Sequence, residues 1–126
     1  MQNEQALIRS KPGTGTAVDF AGNWTNELGS KMLLVQTGQA LSGSYESAVS
    51  SGGTTATGTL TGYVDGDLIA FIVHWDQFQA ITSWVGQLAP NAPTDTIKTL
   101  WQMTNQVDVG DEWASINAGA DVFTRQ

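Results

Sequence analysis

The sequence predicts an all-β protein, an eight-stranded antiparallel up-and-down β-barrel, on three observations. Charged residues make up only 13% of the 126, against about a quarter in an average soluble domain, so the surface is rich in Ser, Thr, Gln and Asn. From Val18 onward, short runs of alternating apolar and polar residues are separated by turn signals, among them 14 glycines in the whole chain. The runs follow one another too closely to leave much room for helix, so each strand pairs with the next. Closing such a sheet on itself removes its edges. A β-sandwich is the second architecture that fits.

Taken in order, the strands are expected at 18–25, 31–36, 41–48, 56–63, 67–75, 80–88, 96–104 and 113–123. The breaks between them are Gln36-Thr37-Gly38-Gln39, Ser50-Ser51-Gly52-Gly53, Pro90-Asn91-Ala92-Pro93, Asp108-Val109-Gly110-Asp111 and the hairpin pair Asp65-Gly66. Residues 1–17 are polar, carry Lys11-Pro12-Gly13, and read as a flexible leader; 18–126 form one barrel domain. Period-two alternation assigns the faces. Phe71, Val73 and Trp75 share one face of their strand. Ala80, Thr82, Trp84 and Gly86 share another, as do Ile97, Thr99, Trp101 and Met103. Trp75, Trp84 and Trp101 thus point inward, either as ordinary core aromatics or as the walls of a flat slot.

A net charge of −7 argues against nucleic acid and against anionic membrane surfaces. There is no cysteine, which rules out disulfide and thiolate chemistry. No apolar run approaches the ~18–20 residues that a membrane helix needs. The N-terminus lacks a charged-then-apolar signal pattern. Asn26, Ser30, Tyr45 and Ser47 place uncharged hydrogen-bonding groups among apolar residues in strand-like segments. Such a set either binds a polar, uncharged head group or satisfies itself in a polar core.

Five stretches carry a resemblance: Gly22-Asn23-Trp24-Thr25-Asn26-Glu27-Leu28-Gly29-Ser30, Ser44-Tyr45-Glu46-Ser47-Ala48-Val49, Trp84-Val85-Gly86-Gln87, Trp101-Gln102-Met103 and Asp121-Val122-Phe123-Thr124-Arg125. In this order and at these intervals, they resemble the motifs of the avidin/streptavidin family of biotin-binding proteins over roughly residues 19–125. The resemblance implies non-covalent biotin binding in one mouth of the barrel, no catalysis, and no cofactor beyond biotin as the bound ligand. Asn26, Ser30 and Tyr45 would donate to the ureido oxygen, and Ser47 and Asp121 would accept from the two ureido N–H groups. Thr82 would contact the ring sulfur. Trp75, Trp84 and Trp101 would wall the rings, with Leu28 and Met103 alongside; Val49 and Ser51 complete the implied site. Trp113 would close the site of a neighbouring subunit in a homotetramer. The resemblance also implies a secreted or periplasmic protein.

Two positions depart from the streptavidin-like pattern at the end that holds the valerate carboxylate. Ser51 stands where an Asn is usual, and Ala80 where a Ser is usual. Asp76, in the loop Asp76-Gln77-Phe78-Gln79, is expected near the mouth. Competing readings are a carbohydrate-binding module, since Trp platforms with Asn and Asp suit sugars, and a carrier of small apolar ligands. An enzyme is not indicated: there is no nucleophile elbow and no inward-facing histidine. His74, the sole histidine, has the parity of the outer face. No metal site is expected, and Asp108, Asp111 and Glu112 read as a solvated acidic turn.

Overall fold

The computed structural model describes residues 1–48 and 55–126. Eight strands close into an antiparallel barrel in which every strand pairs with its sequence neighbour and the last pairs with the first. They are β1 (Gly22–Asn26), β2 (Lys31–Thr37), β3 (Ala40–Glu46), β4 (Thr57–Asp65), β5 (Leu68–Trp75), β6 (Ala80–Leu88), β7 (Thr96–Asn105) and β8 (Ile116–Arg125). The connections β1–β2, β5–β6 and β7–β8 gather at one end, the mouth, together with the end of β3 and the start of β4. The turns β2–β3, β4–β5 and β6–β7 lie at the other end, the base.

The faces follow the expected alternation. Phe71, Val73, Thr82, Trp84, Ile97 and Thr99 are buried, and His74, Val85, Lys98 and Leu100 are exposed. Trp24, Phe20, Phe71, Phe123, Met32, Leu34 and Leu60 are the largest fully buried side chains. Each large apolar side chain removed from water contributes about 1.5–3 kcal/mol.

Three boundaries differ from expectation. Residues 18–21 are not strand. Val18 and Phe20 instead cross the base, where the Phe20 N–H donates to Gln36 Oε1 at 2.9 Å and Gln36 Nε2 donates to the Val18 carbonyl at 3.0 Å. A glutamine side chain thus takes the role of a neighbouring strand, and Phe20 plugs the barrel. At the mouth, β8 begins at Ile116, because Glu112–Ala114 form a short 3-10 helix closed by Ala114 N–H to the Asp111 carbonyl at 2.8 Å. Within residues 1–17, Asn3–Ile8 form a six-residue exposed helix, α1. The Gly15 N–H then reaches Asp65 Oδ1 at 2.7 Å on the β4–β5 turn.

Candidate functional site

The site is assembled from strand ends that the barrel brings to one mouth. At the end of β1, Asn26 Oδ1 accepts from the Leu28 N–H at 3.0 Å and the Ser30 N–H at 2.9 Å. Gly29 makes this loop possible by taking φ +88°, a left-handed conformation that other residues adopt at a cost. Because its oxygen is used by the loop, Asn26 turns its amide nitrogen inward, 3.4 Å from Tyr45 Oη. Ser30 Oγ accepts from the Ala48 N–H at 3.0 Å, and Ser47 Oγ accepts from the Ala56 N–H at 3.0 Å. Each hydroxyl therefore keeps its proton and one lone pair for another partner.

Asp121 faces these groups from β8. Its Oδ2 accepts from Trp84 Nε1 at 2.8 Å. Burial, then the neighbouring Glu27 carboxyl, pushes its pKa up to about 6, against the hydrogen bonds from Trp84 and Asn26. Burial, then the charge of Asp121, also raises the Tyr45 hydroxyl well above the usual phenol range, so it remains a neutral donor. Glu27 is itself held by the Val122 N–H at 2.9 Å. Burial works to raise its pKa, but the hydrogen bonds it accepts leave it lower than usual.

The aromatic residues form one stack. Tyr45 and Phe71 lie parallel to Trp84, with ring centroids 4.9 and 5.1 Å away, and Trp75 meets Tyr45 edge-on at 5.5 Å. Trp75 Nε1 donates to Thr82 Oγ1 at 2.9 Å. Trp101 pairs across strands with Gly119, where an added Cβ would come within 2.6 Å of the indole ring. Glycine at 119 is what lets that ring lie flat against β8. Outside this stack the mouth opens into a depression of about 1090 Å3 touched by Ser47, Trp75, Ala80 and Met103. Asp76 lies at its rim and accepts from Thr57 Oγ1 at 2.8 Å.

Asn26, Ser30, Tyr45, Trp84 and Asp121 form one connected group, and Trp75, Thr82, Ser47 and Met103 continue it outward. Leu28 is on the mouth loop and 72% exposed. Trp113 lies outside the barrel and is 83% exposed. Val49 and Ser51 lie outside the described residues. Among the described residues no group of three or more His, Asp or Glu side chains converges as metal ligands would. In the acidic turn, Glu112 accepts from the Gly110 N–H at 3.0 Å.

Glu27 escaped the sequence reading as a member of the site. Its contact with Asp121 joins residues far apart in the chain, and periodicity carries no signal for such a pair. Ala56, Phe78 and Gln79, which line the depression, escaped it too. Asn105 also lines it, and its parity with Met103 was a usable signal.

A family model described as the avidin family matches residues 14–126. The chain is similar to avidin of Gallus gallus, 28% identical over 117 residues that cover 84% of this chain and 77% of that protein. It is 31% identical to avidin-related protein 3 of Gallus gallus over 116 residues, covering 85% of this chain and 77% of that one. Among solved structures, Xenavidin superposes with a TM-score of 0.74 at 30% identity, covering 88% of this chain and all of that one.

Proposed function

The chain belongs to the avidin family, and from that membership we propose that it is a non-catalytic, high-affinity biotin-binding protein. The observation that carries the proposal is the convergence of Asn26, Ser30, Tyr45, Ser47 and Asp121 beside the aromatic stack: the last four keep hydrogen-bonding capacity, and Asn26 Nδ2 holds Tyr45 Oη only by a long 3.4 Å bond that a ligand oxygen can replace. A cyclic urea needs donors at its oxygen and acceptors at its two N–H groups. Asn26 Nδ2, Ser30 Oγ and Tyr45 Oη supply the first, and Ser47 Oγ and Asp121 the second. An ionised acceptor polarises the urea toward an oxyanion, which strengthens all three donor bonds. Charge-assisted bonds contribute about 1.5–3 kcal/mol each. Trp75, Trp101 and Met103 supply apolar contact for the rings, and Thr82 Oγ1 lies beside Trp75 for the sulfur.

Tryptophan emission and melting temperature with and without equimolar biotin test this reading. A changed emission and a large rise in melting temperature are expected. No change in either at saturating ligand refutes it.

The finer parts of the reading concern the mouth and the assembly. Among the described residues the depression is rimmed by Asp76 and touched by no lysine or arginine, with His74 as its basic side chain, and Ala80 offers no side-chain hydrogen bond to a carboxylate. Biotin amide is therefore expected to bind nearly as tightly as the free acid, and Ala80→Ser to shift the ratio toward the acid. A strong preference of the parent for the acid would contradict this.

Val85 and Leu100, 62% and 70% exposed, are cross-strand partners on the outer wall, and Ala120 pairs with Leu100. An apolar outer wall of this kind suits contact between copies, and we propose that Trp113, 83% exposed, covers a partner's mouth in such an assembly. A homotetramer is expected in light scattering at micromolar concentration, and Trp113→Lys is expected to speed biotin release. Residues 1–17 are proposed as a leader outside the ligand-holding barrel, and the protein as secreted or periplasmic.

A further inference from the structure

We propose that Glu27 is a positioning residue for the ligand's charged acceptor: pinned beyond the end of β1, its carboxyl meets that of Asp121 and shares a proton with it, so the site grips its ligand in neutral solution and loosens in mild acid. The proposal rests on the biotin reading above, because it concerns the proton state of the group that accepts a ureido N–H.

The geometry leaves the two carboxyls little freedom. β1 stops at Asn26, opposite Phe123, while β8 continues toward the mouth without a β1 partner. Val122 therefore has a backbone N–H facing empty edge, and Glu27 Oε2 fills that place at 2.9 Å. This bond brings the Glu27 side chain against the residue before Val122, which is Asp121. Asp121 is fixed from the other side by Trp84 Nε1 at 2.8 Å. Glu27 is thus fixed on the amide of Val122 and Asp121 on the indole of Trp84, which makes the two carboxyl groups neighbours at the mouth end of β8.

Two carboxylates in contact repel, and one proton between them relieves the repulsion. The groups packed around the pair do not offset this charge. From β1 and its loop come Asn26 and Ser30, both neutral. From β3 comes Tyr45, kept neutral by burial and then by Asp121. From β6 comes Trp84. No cationic side chain acts on either carboxyl among the described residues. Glu27 keeps its carboxylate form because the Val122 N–H and its own backbone N–H donate to it. The proton consequently resides on Asp121, whose pKa is near 6.

A ureido N–H needs Asp121 ionised. Affinity is therefore full above this value and falls as pH drops through it, by about tenfold per pH unit in the limit of one linked proton. Glu27→Gln removes the charge but keeps an oxygen for Val122 N–H and offers an N–H to Asp121. Its effect is thus on proton occupancy and not on loop structure.

The test is the affinity for biotin methyl ester, which has no ionisable group in the range, between pH 4.5 and 8.5 for the full chain and for Glu27→Gln and Glu27→Ala. The Asp121 carboxyl carbon is followed by NMR in the ligand-free proteins over the same range. The parent is expected to weaken through about pH 6. Glu27→Gln is expected to hold its affinity at least one pH unit lower than the parent does, with the NMR midpoint moving down by a similar interval. Glu27→Ala is expected to show the same acid shift together with weaker binding at pH 8 than Glu27→Gln, since it leaves the Val122 N–H without its acceptor. Binding at pH 8 with a flat profile through pH 6, or identical profiles and midpoints in parent and Glu27→Gln, overturns this inference alone. No binding at pH 8 in any of the three overturns the biotin reading, and this inference with it.

Discussion

The two ends of the barrel use similar residues to opposite ends. At the base, polar groups are consumed by the protein. Arg125 donates to the carbonyls of Ala21 and Asp19 at 2.7 Å each, pairs with Asp95 at 2.9 Å, and lies 4.4 Å from the centre of the Trp24 ring. Trp24 Nε1 donates to the Phe20 carbonyl at 2.9 Å, and Gln36 stitches Val18 and Phe20 to β2. At the mouth, Ser30, Tyr45, Ser47 and Asp121 each make at least one protein contact and keep capacity for another, while Asn26 Nδ2 holds Tyr45 Oη by a long 3.4 Å bond. Among the described residues, no buried side-chain nitrogen or oxygen lacks a partner. The mouth is thus stable when empty and ready when filled. A polar cluster is a closure when its bonds are exhausted and a receptor when they are not.

This contrast predicts that base and mouth substitutions separate stability from binding. The largest effect expected is on stability from Phe20→Ala. Emptying the plugged base should cost about 3–5 kcal/mol in denaturant unfolding and leave biotin affinity unchanged in the folded fraction. Arg125→Ala should follow at about 2–3 kcal/mol of stability, also without loss of affinity, since its charged hydrogen bonds and its contact with Trp24 all lie at the base. At the mouth the pattern reverses. Asp121→Ala should weaken biotin binding by about 1.5–3 kcal/mol in fluorescence titration, the worth of a charge-assisted bond. Tyr45→Phe removes one neutral donor and should cost about 0.5–1.5 kcal/mol of affinity. If Arg125→Ala weakened binding as much as Asp121→Ala, the division between the two ends would be wrong.

The smallest effect sharpens the contrast. The folded-state pKa of Asp121, near 6, lies above that of an ordinary aspartate. Its carboxyl therefore favours the ligand-free fold below about pH 4, and that contribution is lost as pH rises through about 6. Glu27, with a lowered pKa, acts in the opposite sense. Asp121→Asn should raise the melting temperature of the ligand-free protein at pH 7–8 and leave it unchanged near pH 4, as calorimetry at the two pH values would register. No functional cost of this kind is expected at Arg125, whose charge is neutralised within the base.

The architecture was legible in the sequence because strand period and turn chemistry are local properties. Ile97, Thr99, Trp101 and Met103 alternate with Lys98, Leu100 and Gln102, and that alternation alone states which side faces inward. The avidin-type motifs named Asn26, Ser30, Tyr45 and Asp121 before their convergence was visible. The errors fell where apolar parity had a non-strand cause. Val18 and Phe20 alternate like strand residues because both pack on the core, Phe20 fully buried and Val18 partly, but they do so as a plug, and Gln36 replaces the missing ladder. Residues 113–115 run into β8 without a break signal in the sequence, yet Glu112–Ala114 form a 3-10 helix with no buried residue.

Strand order and inner and outer faces were therefore determined by the sequence itself, through periodicity, and the avidin-type motifs named polar residues of the mouth without Glu27. The tertiary structure alone decided which hydrogen bonds are already spent and which carboxyls touch. Asn26 turns its nitrogen inward because the Leu28 and Ser30 amides claim its oxygen. Glu27 reaches Asp121 because β1 ends before β8 does and leaves the Val122 N–H to be filled. The first follows from the local β1–β2 loop, but the second depends on register between strands at opposite ends of the chain, and proton affinity follows from that register: a carboxyl's charge is set by what surrounds it in space, which no local pattern encodes.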